Sequence, residues 1–234
     1  MNLNVKLFAD GADKAGILEM NANPIISGFT TNPTLMRNAG VKDYKTFALD
    51  ILSHISDKPI SLEVFSDDFN IMEEQALEIS SWAENVYVKI PITNTKAESS
   101  VELIHRLSAN NVKINVTAIM TIGQVKSILS SLSKGPGGFV SVFAGRVADT
   151  GIDPLSLMSD VVELLSGYSN LELIWASPRE LYNVVQADSI GCHIITLTNG
   201  IFNKLSLLGY DLNQYSLDTV KMFRNDAVKA GYKL

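Results

Sequence analysis

A lysine lies in the middle of a stretch that otherwise has the pattern of a buried β-strand. The segment VYVKIPI, residues 86–92, places Val86, Val88 and Ile90 on one face and Lys89 on the opposite face. A charged amine in apolar surroundings is costly, and burial favours the neutral form of an amine. A neutral amine can attack a carbonyl carbon and form a Schiff base. The segment therefore indicates a nucleophilic lysine or, alternatively, a lysine held in a structural ion pair.

Other exceptions to an apolar pattern fall on the corresponding face of neighbouring strand candidates or at their ends. Strands buried on both faces are expected to be nearly continuous in apolar residues. The exceptions, together with two phenylalanines assigned to the same face, are Asp10, Thr30, Asn32, Ser61, Glu63, Phe65, Asn115, Thr117, Ser141, Phe143 and Ser177. Their shared position predicts that they converge around Lys89.

Cleavage of a carbon–carbon bond next to a Schiff base needs groups of these types. A carboxylate has to move protons, and the candidates are Asp10 and Glu63. Arg146 and Arg179 follow the sixth and seventh strand candidates and suit an anionic end such as phosphate. Hydroxyl and amide partners for a polyol substrate are Asn32, Asn115, Thr117 and Ser141. Such a reaction needs no metal.

Each candidate also has a purely structural interpretation. Glu63 and Lys89 would form an inert buried pair, although pairs of this kind are costly. Asp10 would cap a helix, and Asn32 would belong to a turn. Arg146 and Arg179 would be ordinary surface arginines. The common face and the strand-end positions of the whole set favour the catalytic interpretation.

Other kinds of site find less support in the sequence. His54, His105 and His193 lie on widely separated segments, without the spacing of metal ligands. Cys192 and His193 are adjacent, so in a strand they would face opposite sides and would not form a thiol–imidazole pair. The phosphate-binding patterns GxxxxGK[ST] and GxGxxG are absent from the sequence.

The composition is typical of a globular chain. Hydrophobic residues make up 46% of the 234 residues, charged residues 19%, and the net charge is -6, which offers no support for a nucleic-acid surface. No apolar run approaches the ~20 residues of a membrane span, and the start MNLNVKLFAD lacks the apolar region of a signal peptide. A single cysteine fits a reducing compartment. We therefore expect a cytoplasmic protein whose partners are small molecules, with no nucleic acid and no membrane.

Eight short β-rich runs alternate with helical patterns along the chain. The strand candidates are 5–9, 28–31, 60–65, 86–92, 113–119, 139–144, 171–176 and 193–198. Helical spacing is clear in 68–83 and 153–166. Such alternation predicts a parallel sheet, and eight units predict a (β/α)8 barrel, with a doubly wound open sheet as the alternative.

In a barrel, the set around Lys89 would face the axis near the carboxyl ends of the strands, where active sites of this fold lie. The aliphatic faces of the strands would then meet the helices. We expect one barrel domain over 1–234, with 211–234 as a C-terminal helical extension that contains an extra helix at 216–231.

Several of these segments together resemble the transaldolase family, in its short-chain branch that includes the fructose-6-phosphate aldolases. The similar motifs are GFTTNPTL (28–35), VYVKIP (86–91), INVTAI (114–119), FVSVFAGRVAD (139–149) and WASPR (175–179). They occur in the same order as in the family, and the resemblance covers nearly the whole chain.

The resemblance implies a class I, Schiff-base (β/α)8 enzyme without a cofactor. Lys89 would form the imine, Asp10 would act as acid and base during carbon–carbon cleavage, and Glu63 and Thr117 would hold the catalytic water. The residues implied to bind substrate are Asn32, Asn115 and Ser141 at the dihydroxyacetone hydroxyls, Ser177, Arg146 and Arg179 at the distal phosphate, and Thr30 and Phe143 elsewhere in the pocket.

Within the family, aldolases tend to carry Gln and Tyr where this chain has Glu63 and Phe143, so the resemblance favours a transaldolase of carbohydrate metabolism, of the kind found in the pentose phosphate pathway. An aldolase releasing free dihydroxyacetone and a non-catalytic sugar-phosphate-binding protein are the alternatives. Gly11 stands where the family more often has Thr, and Pro178 separates Ser177 from Arg179, so an anionic group other than phosphate stays open. Small members usually form rings, often decamers, which predicts a homo-oligomer.

Overall fold

Eight parallel strands close into a barrel in the computed structural model of the chain, which describes residues 3–233. Each strand pairs with its successor, and the first pairs with the eighth. The strands are β1 Lys6–Asp10, β2 Ile26–Thr30, β3 Ile60–Glu63, β4 Val86–Pro91, β5 Ile114–Ile119, β6 Gly138–Val142, β7 Leu171–Trp175 and β8 Ile194–Thr198. The predicted barrel is confirmed. Residues 1, 2 and 234 of the predicted range lie outside the described residues.

The end of β3 corrects one prediction about the inner face. The strand stops at Glu63, so Phe65, predicted to share its face, lies in the following loop. Its side chain is 51% exposed, and its ring packs edge-on against Tyr44 with 4.4 Å between ring centroids. Phe65 therefore does not contribute to the barrel interior.

Helices follow the strands around the outside of the barrel. They are α1 Lys14–Asn21, α2 Pro33–Asn38, α3 Tyr44–Leu52, α4 Phe69–Ser80, α5 Val101–Ala109, α6 Ile122–Leu132, α7 Ala144–Asp149, α8 Pro154–Leu165, α9 Tyr182–Ser189, α10 Asn199–Phe202 and α11 Leu212–Lys229. Asp13, not Asp10, caps α1, because its carboxylate accepts from the backbone N–H of Gly16. The structural interpretation of Asp10 as a helix cap is therefore wrong.

The apolar residues divide between two clusters. The larger one lies between strands and helices and contains the aliphatic faces of the strands, such as Val88 and Val116. The smaller one fills the barrel axis below the polar set with Phe8, Phe139, Ile174, Ala176 and Ile194. Both placements agree with the expected orientation of the strand faces.

Gly28 in β2 shows how tightly the axis is filled. A Cβ at this position would lie 2.5 Å from the ring of Phe8, closer than packed atoms approach. The ring of Phe8 in turn meets that of Phe139 edge-on. The amino-terminal half of the barrel interior is thus filled by closely packed apolar side chains, below the polar side chains at the carboxyl ends of the strands.

The last helix, α11, begins after Asp211, whose side chain caps it by accepting from the N–H of Gln214. The predicted helix over 216–231 therefore starts four residues earlier than expected and ends two residues earlier. None of its residues is buried. Among the described residues 3–233, no helix has the length and apolar character needed to cross a bilayer.

Candidate active site

A cavity of about 420 Å³ opens at the carboxyl ends of the strands. Every residue predicted for the site lines it except Asn115. These lining residues are Asp10, Thr30, Asn32, Glu63, Lys89, Thr117, Ser141, Phe143, Arg146, Ser177 and Arg179. The barrel thus brings together side chains that are up to 169 positions apart in the sequence, from Asp10 to Arg179.

Lys89 lies on β4, in register with Glu63 on β3. Its Nζ donates to the backbone carbonyl of Thr31 at 2.6 Å and to Oε1 of Glu63 at 3.2 Å. The side chain is only 9% exposed. The predicted ion pair exists, yet it borders the cavity, so a ligand in the cavity can reach the amine.

Glu63 is held on three sides. Its Oε1 accepts from Lys89, its Oε2 accepts from the hydroxyl of Thr31 at 3.0 Å, and its backbone N–H donates to the hydroxyl of Tyr44 at 2.8 Å. Burial raises the pKa of its carboxyl, and the positive charge of Lys89 opposes this shift without cancelling it. Glu63 therefore holds a proton more readily than an exposed glutamate.

Asp10 ends β1 on the same cavity. Its Oδ1 accepts from the hydroxyl of Thr30 at 2.9 Å, and the oxygen of Thr30 lies 2.5 Å from the hydroxyl oxygen of Thr196. When Asp10 is ionised, the single proton of Thr30 is donated to Asp10, and Thr196 is then the donor to Thr30. Burial raises the pKa of the Asp10 carboxyl, with Lys89 acting in the opposite direction. This places Asp10 closer to the range in which a carboxyl both takes and gives protons near neutral pH.

Asn115 lies behind the cavity wall rather than on it, because its side chain is fully buried. Its amide donates to the hydroxyl of Ser61 at 2.9 Å and its amide oxygen accepts from the hydroxyl of Ser141 at 2.8 Å. Ser141 lines the cavity. Asn115 therefore orients a cavity residue and does not itself face the cavity.

A bulge in β5 positions Thr117. The pairing of β5 with β6 shifts between Val116 and Ile119, and Ala118 has a φ of 61°, a conformation that costs a residue with a Cβ about 1 kcal/mol or more. Such bulges commonly redirect a side chain beside a site. The Thr117 hydroxyl is buried and has no hydrogen-bond partner within the described part of the chain. It is therefore available to a ligand or a water.

Asn32 has a structural and a cavity-facing side. Its amide oxygen caps α2 by accepting from the N–H of Leu35 at 2.9 Å, so its local structural role is that of a helix cap rather than the turn considered from the sequence. The same residue lines the cavity. The cap fixes the orientation of the side chain, and capping and ligand binding are compatible.

The two arginines lie at the rim. Arg179 makes a two-pronged pair with the carboxylate of Asp149, and both groups are exposed. Arg146 is also exposed, and its guanidinium lies 5.9 Å from the centre of the Phe143 ring. Ser177 lines the same cavity as the two arginines and has a φ of 60°. The rim thus offers two guanidinium groups and a hydroxyl on one side of the cavity.

The remaining candidate groups do not form a second chemical site. In residues 3–233, no cluster of three or more His, Cys, Asp or Glu side chains is arranged to hold a metal ion. Burial raises the pKa of the Cys192 thiol to about 12, which keeps it protonated. The Nδ1 atom of His193 accepts from the backbone N–H of Leu173, so it is not paired with the thiol.

Comparison with known proteins decides the family. Residues 7–234 match the model of the family described as Transaldolase/Fructose-6-phosphate aldolase. The chain is a member of the transaldolase/fructose-6-phosphate aldolase family. The resemblance expected from the motifs is thereby confirmed.

Two relatives of this family member share about a third of its residues. A probable transaldolase of Thermoanaerobacter sp. (strain X514) is 33% identical over 231 residues, 98% of this chain and 100% of the relative. A probable transaldolase of Streptococcus pyogenes serotype M5 (strain Manfredo) is 34% identical over 203 residues, 86% of this chain and 90% of the relative.

Solved structures similar to the family member support the fold alone. A 2,3-dimethylmalate lyase matches with a TM-score of 0.56 at 11% identity, over 99% of this chain and 85% of the other. A putative fructose-1,6-biphosphate aldolase from Coccidioides immitis matches with a TM-score of 0.55 at 11% identity, over 86% of this chain and 78% of the other.

Thr196 and Thr31, which the sequence did not point to, take part in the hydrogen bonds of the site, as does Ser61, which was placed on the inner face without a role. Thr196 shares the inward parity of Ile194 on β8, so the rule that selected the other residues also selects it. Ser61 has the same parity as Glu63. Thr31 has the opposite parity to Thr30, and only the turn after β2 brings it to Glu63, so no strand pattern predicts it.

Proposed function

We propose that this family member is a class I transaldolase, which transfers a dihydroxyacetone unit from a ketose phosphate to an aldose through an imine on Lys89. The observation that carries the proposal is a buried amine on the wall of a cavity, in contact with one buried carboxyl, with a second carboxyl on the same cavity. Ionisable groups whose pKa values are shifted by burial and that meet in one cavity are typical of catalytic sites.

In the first step, the neutral amine of Lys89 attacks the ketone carbon of the donor. The resulting carbinolamine accepts a proton on its hydroxyl and loses water, which leaves a protonated imine. Glu63 is suited to give that proton, since burial raises its pKa and its Oε1 lies 3.2 Å from Nζ of Lys89. The unpartnered hydroxyl of Thr117 would bind the water that leaves here and returns at hydrolysis.

In the second step, Asp10 takes the proton from the substrate hydroxyl as the C3–C4 bond breaks. The protonated imine accepts the electrons of that bond, and an enamine of dihydroxyacetone stays on Lys89 while the aldehyde fragment leaves. The enamine then adds to an acceptor aldose, with Asp10 returning the proton. The hydroxyls of Thr30 and Thr196 support the charged form of Asp10 in this cycle.

The rim would bind the anionic end of donor and acceptor. Arg146, Arg179 and Ser177 lie together on the cavity wall, and guanidinium groups suit phosphate because their donors match its oxygens. Asp149 holds Arg179 at the rim through its paired hydrogen bonds. Asn32 and Ser141, the latter oriented by Asn115, would bind the hydroxyls of the dihydroxyacetone unit.

Transfer is favoured over release by Glu63 and Phe143, the pair that the family resemblance links to transaldolases. Product analysis with a ketose phosphate separates the functions. A transaldolase gives a new ketose only when an acceptor aldose phosphate is present, and it releases little dihydroxyacetone without one. Steady release without an acceptor would show an aldolase, and binding without any product would show a vestigial site. The variant Lys89→Met, which keeps the apolar part of the side chain, is the control and should give no product.

A further inference from the structure

Thr31 contacts both members of the central pair, through different atoms. Its backbone carbonyl accepts from Nζ of Lys89 at 2.6 Å. Its hydroxyl lies 3.0 Å from Oε2 of Glu63 and 2.8 Å from the carbonyl oxygen of Ser61. Thr31 is 2% exposed, so these contacts form away from bulk water.

The hydroxyl of Thr31 has two acceptors in reach and a single proton. When Glu63 is ionised, the hydroxyl of Thr31 donates its hydrogen bond to Oε2 of Glu63, because a hydrogen bond to a charged oxygen is stronger than one to a carbonyl oxygen. When Oε2 carries a proton, Glu63 becomes the donor to Thr31, whose own proton then turns to the carbonyl of Ser61. When the proton is on Oε1 instead, Thr31 still donates to Oε2. The oxygen atoms need not move in any of these states.

We propose that Thr31 is a positioning residue: its hydroxyl keeps Glu63 hydrogen-bonded in both charge states of the carboxyl. The Oε1 atom of Glu63 then stays free to exchange protons beside Lys89. This rests on the proposed function, in which Glu63 gives a proton when the imine forms and recovers it when the imine is hydrolysed. A carboxyl that changes charge in a buried site is otherwise left with an unpaired group in one of the two states.

Removal of the Thr31 hydroxyl would mainly destabilise the ionised form of Glu63. The carbonyl of Ser61 keeps a partner in the backbone N–H of Thr31, whereas Oε2 has no second protein donor among the hydrogen bonds of the described residues. Other ionisable groups that face Glu63 are Lys89 on β4, Asp10 on β1 and Tyr44 on α3. None of them changes in a Thr31 variant, so a shift in pH dependence would come from the hydroxyl.

The test uses dihydroxyacetone as the probe, because it forms the imine without carbon–carbon cleavage and so bypasses Asp10. The rate of imine formation is measured from pH 5 to pH 9 by rapid quenching with borohydride and intact-protein mass. In Thr31→Val, the midpoint of the limb governed by Glu63 should rise by about one pH unit or more. Thr31→Ser, which keeps a hydroxyl, should follow the wild type. Thr31→Ala repeats the test if the valine variant does not fold.

A double-mutant cycle with Glu63→Gln separates a specific effect from a general disturbance. In the Gln background, removal of the Thr31 hydroxyl should no longer change the pH profile. The inference is overturned if Thr31→Val matches the wild type, if Thr31→Ser behaves like Thr31→Val, or if the shift persists in Glu63→Gln. Failure of the wild type to form any adduct at Lys89 would instead overturn the proposed function.

Discussion

Two buried carboxyls on the wall of one cavity, Asp10 and Glu63, have raised pKa values for the same reason, namely loss of water around the charged form. In a protein selected only for stability, such groups would be replaced or fully paired. Their retention beside Lys89 fits a site in which proton transfer matters more than stability. Replacing one of these carboxyls by a neutral group should therefore change the stability of the folded chain measurably.

The variant Asp10→Asn should lose activity and gain stability. Cleavage of the donor should fall about 100-fold or more, because the general base is gone. The folded state raises the pKa of Asp10, so the native chain binds the proton more tightly than the unfolded chain, and stability falls as pH rises from the ordinary aspartate pKa towards the raised one. Asparagine does not ionise, so the variant does not lose stability in this way as the pH rises. The thermal midpoint of the variant should exceed that of the wild type at pH 7, and the gap should close towards pH 3. A gap that is the same at both pH values would show that the Asp10 carboxyl carries no such penalty.

Much of the site was predictable at the residue scale because one rule, inward parity near a strand end, selected most of it. Glu63, Lys89, Thr117 and Ser141 follow that rule. Thr31 does not, since its side chain reaches Glu63 only through the chain reversal after β2. The rule also does not predict that Asn115 is fully buried and does not line the cavity, because this depends on how far each side chain extends.

At the scale of elements, the segments that follow β6 and β7 approach each other closely at one glycine. Gly145, near the start of α7, leaves no space for a side chain, because a Cβ there would overlap the carbonyl oxygen of Ser177. Ser177 itself has a left-handed backbone, as does Ala118 beside Thr117. Strained residues of this kind cluster at functional sites. The motif sequences contain no signal for the bulge at Ala118, because INVTAI has the pattern of a regular strand.

The variant Gly145→Ala should disturb the proposed anion site more than the chemistry. The loop bearing Ser177 and Arg179 must move to accommodate the methyl group, so KM for a phosphorylated ketose should rise about tenfold to a hundredfold. The loss in kcat/KM with an unphosphorylated ketose should be smaller. Gly167→Ala, at a position with open space around it, is the matched control. Equal losses for both donors would argue against an anion site at this rim.

At the scale of the whole molecule, the C-terminal helix α11 presents an apolar face to solvent. The helix α11 has no buried residue, yet Leu212, Tyr215, Met222 and Phe223 fall on one face and are exposed. A helix with such a face normally packs against another surface. We propose, in line with the oligomer expected from the family resemblance, that a second copy of the chain covers this face.

The variant Phe223→Asp should weaken that association. A carboxylate placed in an apolar contact is costly, so the mass measured by light scattering should fall towards that of a single chain. Asn225→Asp introduces the same charge on the opposite side of α11 and should keep the larger mass. A wild-type chain that is already monomeric at micromolar concentration would refute the proposed interface.

The architecture of the whole molecule was more accessible from the sequence than its details. Regular alternation of strands and helices predicts eight β/α units, and all eight strands form near the expected positions. Closure between β1 and β8 follows from the number of units rather than from any residue. The start of α11 was missed, although Asp211 with Gln214 three residues later marks a helix start.

The central claim is that the amine of Lys89 bonds covalently to the ketone carbon of the donor, and mass spectrometry after borohydride reduction tests it most directly. The protein is incubated with a ketose phosphate, reduced, digested and mapped. We expect one adduct with the mass of the reduced dihydroxyacetone unit on the peptide containing Lys89, and none in Lys89→Met. Turnover of the ketose without any adduct, or an adduct on a different lysine, would contradict a covalent role for Lys89.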